Sequence, residues 1–326
     1  MPFGLSATSA ALLVFLAFLI ATTVNTFAME AAVLFTPAFL YVFPVVVAGF
    51  PAVEPNAAIG LALYVELFGY SSSVAAYWFR HQIDFHIAKK LLVITVPMAV
   101  VARFGSYLIP SDLLMLLFGG LLLVLAVVLY EAHAHGPSVM DRVMEMPVTS
   151  LSRDDLSRLS GTSVPDDYEA RTRVTADAAA SDGGTREGFR MEPLDTAMTV
   201  VGGALAGLVG IAVGELSQTM LTVRKRISVQ LSTGTSALVL HVTVVAALIT
   251  NVLLLRFAPS VAGEGFTVPF GVGTVAAIGC LFGGQMGAYL NNRLSEATVI
   301  YLLMVAYAVV GVLVTFNTVV LGGGGH

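Results

Sequence analysis

The sequence predicts an all-α polytopic membrane protein built from two inverted repeats of transmembrane helices, each with a broken or re-entrant first segment. Three observations lead to this prediction. Of the 326 residues, 57% are hydrophobic and 11% are charged, whereas a soluble domain has roughly 25% charged residues. Apolar stretches of membrane-spanning length recur along the chain. Finally, the apolar part falls into two halves that resemble each other.

A helix needs about 20 apolar residues to cross the hydrocarbon core of a membrane. The chain contains nine apolar stretches of about that length, which could enter or cross the core. They lie at 5–27, 30–49, 56–79, 88–109, 112–130, 196–221, 230–256, 267–291 and 297–320. A membrane barrel would instead show short segments of alternating hydrophobicity. We therefore expect each stretch to be helical.

A hydrophilic segment separates the two halves. It contains twelve Asp or Glu and seven Arg, whereas the rest of the chain has nine acidic and nine basic residues, so this segment accounts for the net charge of −5. It has few large apolar side chains, which predicts a mostly disordered linker. The predicted domains are a first transmembrane repeat at 1–130, a cytoplasmic linker at 131–194 and a second repeat at 195–326.

The halves can be aligned on Gly60 and Gly234, each near the start of an apolar helix. Further along, "RFGSYL" at 103–108 resembles "QMGAYL" at 285–290. This similarity indicates an internal duplication.

Lysine and arginine in short loops favour the cytoplasm. They place the loops at 80–90 and 224–226 inside. Helix 56–79 then runs inward and its counterpart 230–256 runs outward. The repeats are therefore predicted to be inverted, an arrangement typical of secondary transporters.

The stretch 196–221 has both ends on the predicted cytoplasmic side, so it must enter the membrane and return. A break at Gly214 is expected, because glycines are frequent there. The polar residues after this break are Glu215, Ser217, Gln218 and Thr219. Free N–H groups at a helix start, together with such side chains, could bind an anion.

The first half has a counterpart in "NTFAMEAAVLFTPAF", where Glu30 precedes Pro37. Proline breaks or kinks a helix, which makes Glu30 pseudo-equivalent to Glu215. The alternative is that both glutamates only cap helices near the membrane interface.

Glu66 and His241 fall in the middle of apolar helices. In the alignment on Gly60 and Gly234 they are one residue out of register, so they could approach each other near the midplane. A carboxylate and an imidazole that share a proton would lower the cost of burial and could carry protons. The alternative is a neutral histidine that is hydrogen-bonded by a neighbouring backbone or hydroxyl group, with Glu66 protonated.

Two further features are interpreted structurally. Arg103 lies in an apolar helix and is expected to extend toward the membrane surface rather than to contact a substrate. Gly279, Gly283 and Gly287 are spaced by four residues and predict a smooth helix face for packing.

The two-fold repeat, the glycine-rich break after each first helix and the motif Gly234-Thr235-Ser236 resemble the TauE/SafE family, also called the sulfite exporter family. The resemblance covers both membrane halves. It implies transport of small sulfur-containing or organic anions, including sulfite and sulfonates. It also adds Thr235 and Ser236 to the expected binding residues.

The predicted function is a secondary transporter that moves a small anion across the cytoplasmic membrane by alternating access, with proton coupling as a further hypothesis. The predicted substrate-binding residues are Glu30, Glu215, Ser217, Gln218, Thr219, Thr235 and Ser236, and the predicted proton-coupling residues are Glu66 and His241. The alternatives are an anion channel and a membrane sensor or scaffold acting through the linker.

An enzyme is not expected, because the helices contain no cluster of His, Asp and Cys with the spacing of a metal or nucleophile site. No cofactor, metal ion or nucleic acid is expected either. The expected partners are a small anionic substrate, the lipid bilayer and protons. A homodimer is compatible with the sequence, which does not determine the oligomeric state.

Overall fold

A computed structural model of the protein describes residues 4–27, 29–134, 189–225, 227–257, 267–291, 293 and 296–321. The regular elements within these ranges are all helical. Most of the predicted linker, residues 135–188, lies outside the described residues, so its predicted disorder and the domain boundaries stay predictions.

The first half of the chain forms six helices. They are α1 (Ala7–Phe27), α2 (Ala32–Pro37), α3 (Phe43–Val46), α4 (Pro55–Phe79), α5 (Phe85–Ser106) and α6 (Ser111–Ala134). A widened π-helical turn joins α2 to α3 at Ala38–Val42. It follows Pro37, which has no N–H to donate to the preceding turn.

The described residues of the second half form five helices. They are α7 (Pro193–Val209), α8 (Val213–Thr219), α9 (Val229–Phe257), α10 (Phe270–Asn291) and α11 (Glu296–Phe316). Short π-helical turns follow α8 and α11.

Seven of these helices, α1, α4, α5, α6, α9, α10 and α11, contain stretches long and apolar enough to cross a membrane. Two shorter apolar segments, Ala32–Val46 and Pro193–Val209, account for the other two predicted stretches. The all-α, multi-pass membrane fold predicted from the sequence is therefore confirmed. The inversion of the repeats stays a prediction.

The break in the second half lies earlier than the sequence predicted. Helix α7 ends at Val209; its C-cap, Gly210, has a left-handed φ of 78°, and Ala212 also has a positive φ of 90°. Glycine adopts such a φ without a steric penalty, so Gly210 rather than Gly214 marks the break. Gly214 lies within α8, and Glu215 is in the first turn of that helix.

The two ends of this broken segment lie next to each other. The Asp195 carboxylate accepts from Arg224 Nε at 2.6 Å and from Lys225 Nζ at 2.7 Å. Glu192 adds a contact of 2.8 Å to Arg224. The chain therefore returns to the side on which α7 began, as the prediction of a re-entrant segment requires.

The first half makes a similar return. A Cβ built on Gly49, just after α3, would lie 3.1 Å from the carbonyl oxygen of Gly4, just before α1. Gly49 has a φ of 86°, which a residue with a side chain rarely adopts. Both broken segments thus end beside their own starting points.

The helices of the two halves pack in matching pairs. In the alignment of the halves, α1, α4, α5 and α6 correspond in that order to α7, α9, α10 and α11. The contact between α1 and α10 then corresponds to the contact between α7 and α5. Likewise, the contact between α5 and α9 corresponds to the contact between α10 and α4. The pairs α4–α9 and α6–α11 map onto themselves. The core between the halves is therefore built from equivalent interfaces.

The glycine face on α10 serves for packing, as predicted, and its partner is α1. A Cβ on Gly283 would lie 2.7 Å from Ala21 Cβ, and a Cβ on Gly287 would lie 2.5 Å from Asn25 Cβ. These distances are too short for side chains, so the glycines allow the backbones to approach.

The expectation that Arg103 extends to the membrane surface is wrong. Its side chain is 0% exposed and lies between α4 and α9. Hydrogen bonds to Asn251 and to the carbonyl of Asn56 hold it inside. Local polar partners therefore outweigh the tendency of arginine to reach the interface.

Candidate functional site

Glu30 and Glu215 meet between the two broken segments, and each binds the backbone of the other half. Glu30 Oε1 accepts a hydrogen bond from the N–H of Gly214 at 2.7 Å. Glu215 Oε1 accepts one from the N–H of Glu30 at 3.3 Å. This exchange agrees with the predicted pseudo-equivalence of the two glutamates, and it ties together residues about 185 positions apart.

A third carboxyl group, that of Glu66 on α4, joins this pair. Its Oε1 accepts from the N–H of Ala31 at 3.1 Å. Tyr307 on α11 donates its hydroxyl to Glu215 Oε1 at 2.5 Å, and Tyr70 on α4 donates to the carbonyl of Met29 at 2.8 Å. We call Glu30, Glu66 and Glu215 the carboxyl cluster.

Among the described residues the carboxyl cluster has no cationic partner; two of its members are fully buried, and Glu215 is half-buried. Glu30 is 0% and Glu66 1% exposed, and the second oxygen of all three carboxyl groups is buried without a hydrogen-bond partner. In the described ranges, ion pairs involve Glu192 and Asp195 instead. An unpaired buried charge is costly, so the cluster is suited to holding protons.

A narrow cavity of ≈ 20 Å³ adjoins the cluster at Gly214. It is lined by Asn25, Tyr70, Tyr77, Gly214, Gln218, Thr233, Ser236, Ala237 and Leu240. This volume is about that of one water molecule, so a sulfonate-sized anion would need the helices to separate.

The polar groups of the cavity come from both halves of the chain. Ser236 Oγ is buried without a partner, and Gln218 Nε2 donates to Thr233 Oγ1 at 3.1 Å. On the opposite side, Ser73 donates to Asn25 Oδ1 at 2.5 Å. Hydroxyl and amide groups here could bind a polar ligand.

The comparison with protein-family models gives a match to "Sulfite exporter TauE/SafE" over residues 13–314. The chain belongs to the TauE/SafE family. No curated protein and no solved structure was found to match it. As a TauE/SafE member, it is a multi-pass membrane protein of a transporter family.

The structure of this TauE/SafE protein brings together only part of the predicted binding set. Glu30, Glu215, Gln218 and Ser236 lie at the cluster or the cavity. The described lining does not include Ser217, Thr219 or Thr235. Thr235 Oγ1 instead accepts from the N–H of Asp84 at 2.9 Å, which anchors the α4–α5 loop.

Glu66 and His241, the predicted proton-coupling pair, have separate partners. Glu66 binds Ala31, whereas the Nε2 of His241 lies 3.4 Å from the hydroxyl of Ser71. No hydrogen bond between the two is found within the described part of the chain. Their joint role in proton coupling stays a prediction.

Sequence reasoning missed Tyr70, Tyr307 and Thr233. Tyr70 follows Glu66 by four residues, a spacing that places both on one helix face, so this signal was available. Tyr307 comes from the last helix, and only the packing of α11 brings it to Glu215.

Proposed function

We propose that this protein is a secondary transporter that moves a small anion, such as sulfite or a sulfonate, across the cytoplasmic membrane by alternating access. The observation that carries the proposal is the carboxyl cluster, whose members come from both halves and adjoin the cavity. Family membership supports an anion of this class.

The packing supports alternating access. Because equivalent helix pairs join the halves, an inverted arrangement would give two conformations related by exchange of the repeats. The narrow cavity then corresponds to a conformation in which the substrate can enter from neither side of the membrane. Movement of α8 and α9 apart would enlarge the cavity, because Gly214 and Gln218 on α8 and Ser236 on α9 line it.

The carboxyl cluster supports proton coupling. Three carboxylates would repel a negatively charged substrate. Each pair of like charges 4 Å apart contributes about 4 kcal/mol of repulsion at an effective dielectric constant of 20. Protonation of the cluster removes this repulsion. Binding of the anion and binding of protons would then favour each other, which is the thermodynamic requirement for coupled transport.

The test is sulfite uptake into proteoliposomes with and without a pH gradient, inside and outside pH being set independently. We expect saturable uptake that responds to the gradient in the wild type, and loss of the response in Glu30→Gln and Glu215→Gln. Glu54→Gln is the matched control, because Glu54 is exposed and its side chain makes no cap hydrogen bond.

The possible outcomes separate the parts of the proposal. Uptake that does not saturate would favour a channel. Saturable uptake whose gradient response persists in both cluster variants would exclude these two carboxyl groups as the coupling site. A folded wild type that transports neither sulfite nor a sulfonate would contradict the proposed substrate class.

A further inference from the structure

Arg103 occupies a second polar site, which is separate from the carboxyl cluster. The residue lies in the last turn of α5, and its guanidinium is held between α4 and α9. Nε and Nη2 donate to Asn251 Oδ1 at 3.2 and 2.8 Å, and Nη2 also contacts the carbonyl of Asn56 at 3.3 Å. Tyr107 donates to the same oxygen of Asn251.

Within the part of the chain that the structure describes, two donor groups at this site have no acceptor. Arg103 Nη1 and Asn251 Nδ2 are both buried without a hydrogen-bond partner, and both residues are 0% exposed. The amide orientation of Asn251 is fixed, because its Oδ1 already faces donors from Arg103 and Tyr107. The free N–H groups of Asn251 are therefore a property of the site.

The charge of Arg103 is not balanced within the described residues. A guanidinium stays protonated at any pH a protein survives. Its contacts to Asn251, the Asn56 carbonyl and Tyr107 are all to neutral groups, and no ion pair forms with a described acidic side chain. A buried, unbalanced cation is costly, and an anion beside it would offset this cost.

Gly60 on α4 lets the amide of Asn251 and the guanidinium of Arg103 pack against the α4 backbone, because a side chain at residue 60 would collide with the amide. A Cβ on residue 60 would lie 2.7 Å from Asn251 Nδ2 and 3.5 Å from Arg103 Nη2. An unpaired acceptor, Asn56 Oδ1, lies in the same site. The site therefore offers a positive charge, several N–H donors and one acceptor.

We propose that Arg103, Asn251 and Asn56 form a binding site for a small oxyanion. The N–H groups of Arg103 and Asn251 bind its oxygens, and Asn56 Oδ1 accepts from a hydroxylated anion such as hydrogensulfite. The site lies about 9 Å along α4 from Glu66, since Gly60 and Glu66 are six helical residues apart. Its role as a station on the transport route rests on the proposed function, whereas anion binding itself does not.

The test is thermal unfolding of the purified protein in detergent, with sulfite compared with chloride at equal ionic strength. A ligand that binds only the folded state raises the unfolding temperature. We expect sulfite to do so in the wild type and to lose this effect in Arg103→Gln and Asn251→Asp. Asn251→Asp places a carboxylate against Arg103, so it should fold even if Arg103→Gln does not.

The matched control is Arg256→Gln, which removes an exposed arginine five residues after Asn251 on α9. Sulfite should still raise the unfolding temperature of this variant. The inference is overturned if sulfite does not stabilise the wild type, or if Asn251→Asp retains the stabilisation. Uptake assays on the same proteins separate the two proposals. Stabilisation that depends on Arg103 without any transport would leave this site standing and remove the proposed function.

Discussion

At the scale of single residues, Glu30 and Glu215 hold the two halves of the protein together through backbone contacts. Glu30 accepts a hydrogen bond from the N–H of Gly214, and Glu215 accepts one from the N–H of Glu30. Both glutamates accept backbone N–H groups, as the alternative from the sequence, that both only cap helices near the membrane interface, would require. However, Glu30 is fully buried and each contact crosses between the halves, which simple interfacial caps would not require.

The tyrosine beside Glu215 gives a prediction at this scale. Tyr307→Phe removes the hydroxyl that donates to Glu215 Oε1 at 2.5 Å. A hydrogen bond to a charged group is worth about 1.5–3 kcal/mol, and about 1.4 kcal/mol corresponds to a tenfold rate. We therefore expect sulfite uptake at matched protein levels to fall by about ten- to a hundredfold.

The control for this change is Tyr301→Phe on the same helix, because Tyr301 is 53% exposed. It should transport like the wild type. Equal rates for the two variants would mean that the Tyr307 hydroxyl does not assist the carboxyl cluster during transport.

At the scale of elements, glycine determines how closely the helices approach. Gly207 on α7 faces α5, and a Cβ there would lie 2.8 Å from Ala99 Cα and 2.9 Å from Ala102 Cβ. The contact includes backbone atoms, so a side chain at residue 207 must push the two helices apart. The broken segment begins with α7, which means that this contact also positions Glu215.

We expect Gly207→Ala to destabilise the protein by about 1–3 kcal/mol, the usual range for an overpacked core. Thermal unfolding in detergent measures the change. The control is Gly120→Ala on α6, where no atom would lie within 4 Å of the new Cβ. This control should be neutral or more stable by about 0.5–1 kcal/mol, since alanine favours a helix. A tolerated Gly207→Ala would show that α5 and α7 are not tightly packed in the membrane.

At the scale of the whole molecule, the predicted inversion of the repeats places equivalent loops on opposite sides of the membrane. Leu108 in the α5–α6 loop is 68% exposed, and Arg293 in the α10–α11 loop is also exposed. The natural Cys280 is buried, so the wild type gives a low labelling background.

We expect Leu108→Cys to react with a membrane-impermeant maleimide on intact cells. Arg293→Cys should react only after the membrane is permeabilised, because the basic residues place its loop inside. Labelling of both cysteines from one side would contradict the inverted repeats, and with them the simplest form of alternating access.

The sequence alone predicts the membrane fold, because hydrophobicity and helix length follow directly from composition along the chain. It also indicated Glu30 and Glu215 as a matched pair, since a carboxylate in an apolar segment is conspicuous. The sequence placed the break at the wrong glycine, because several glycines in that segment could adopt a left-handed φ, and among them only Gly210 does so before α8.

Tertiary structure alone decided which polar groups meet. Tyr307 reaches Glu215, and Arg103 reaches Asn251, across 92 and 148 residues. It also placed Glu66 beside Ala31 and Thr235 beside Asp84. A local pattern gives the face of a helix but not its neighbour, because the partner depends on how all the helices pack around the buried groups.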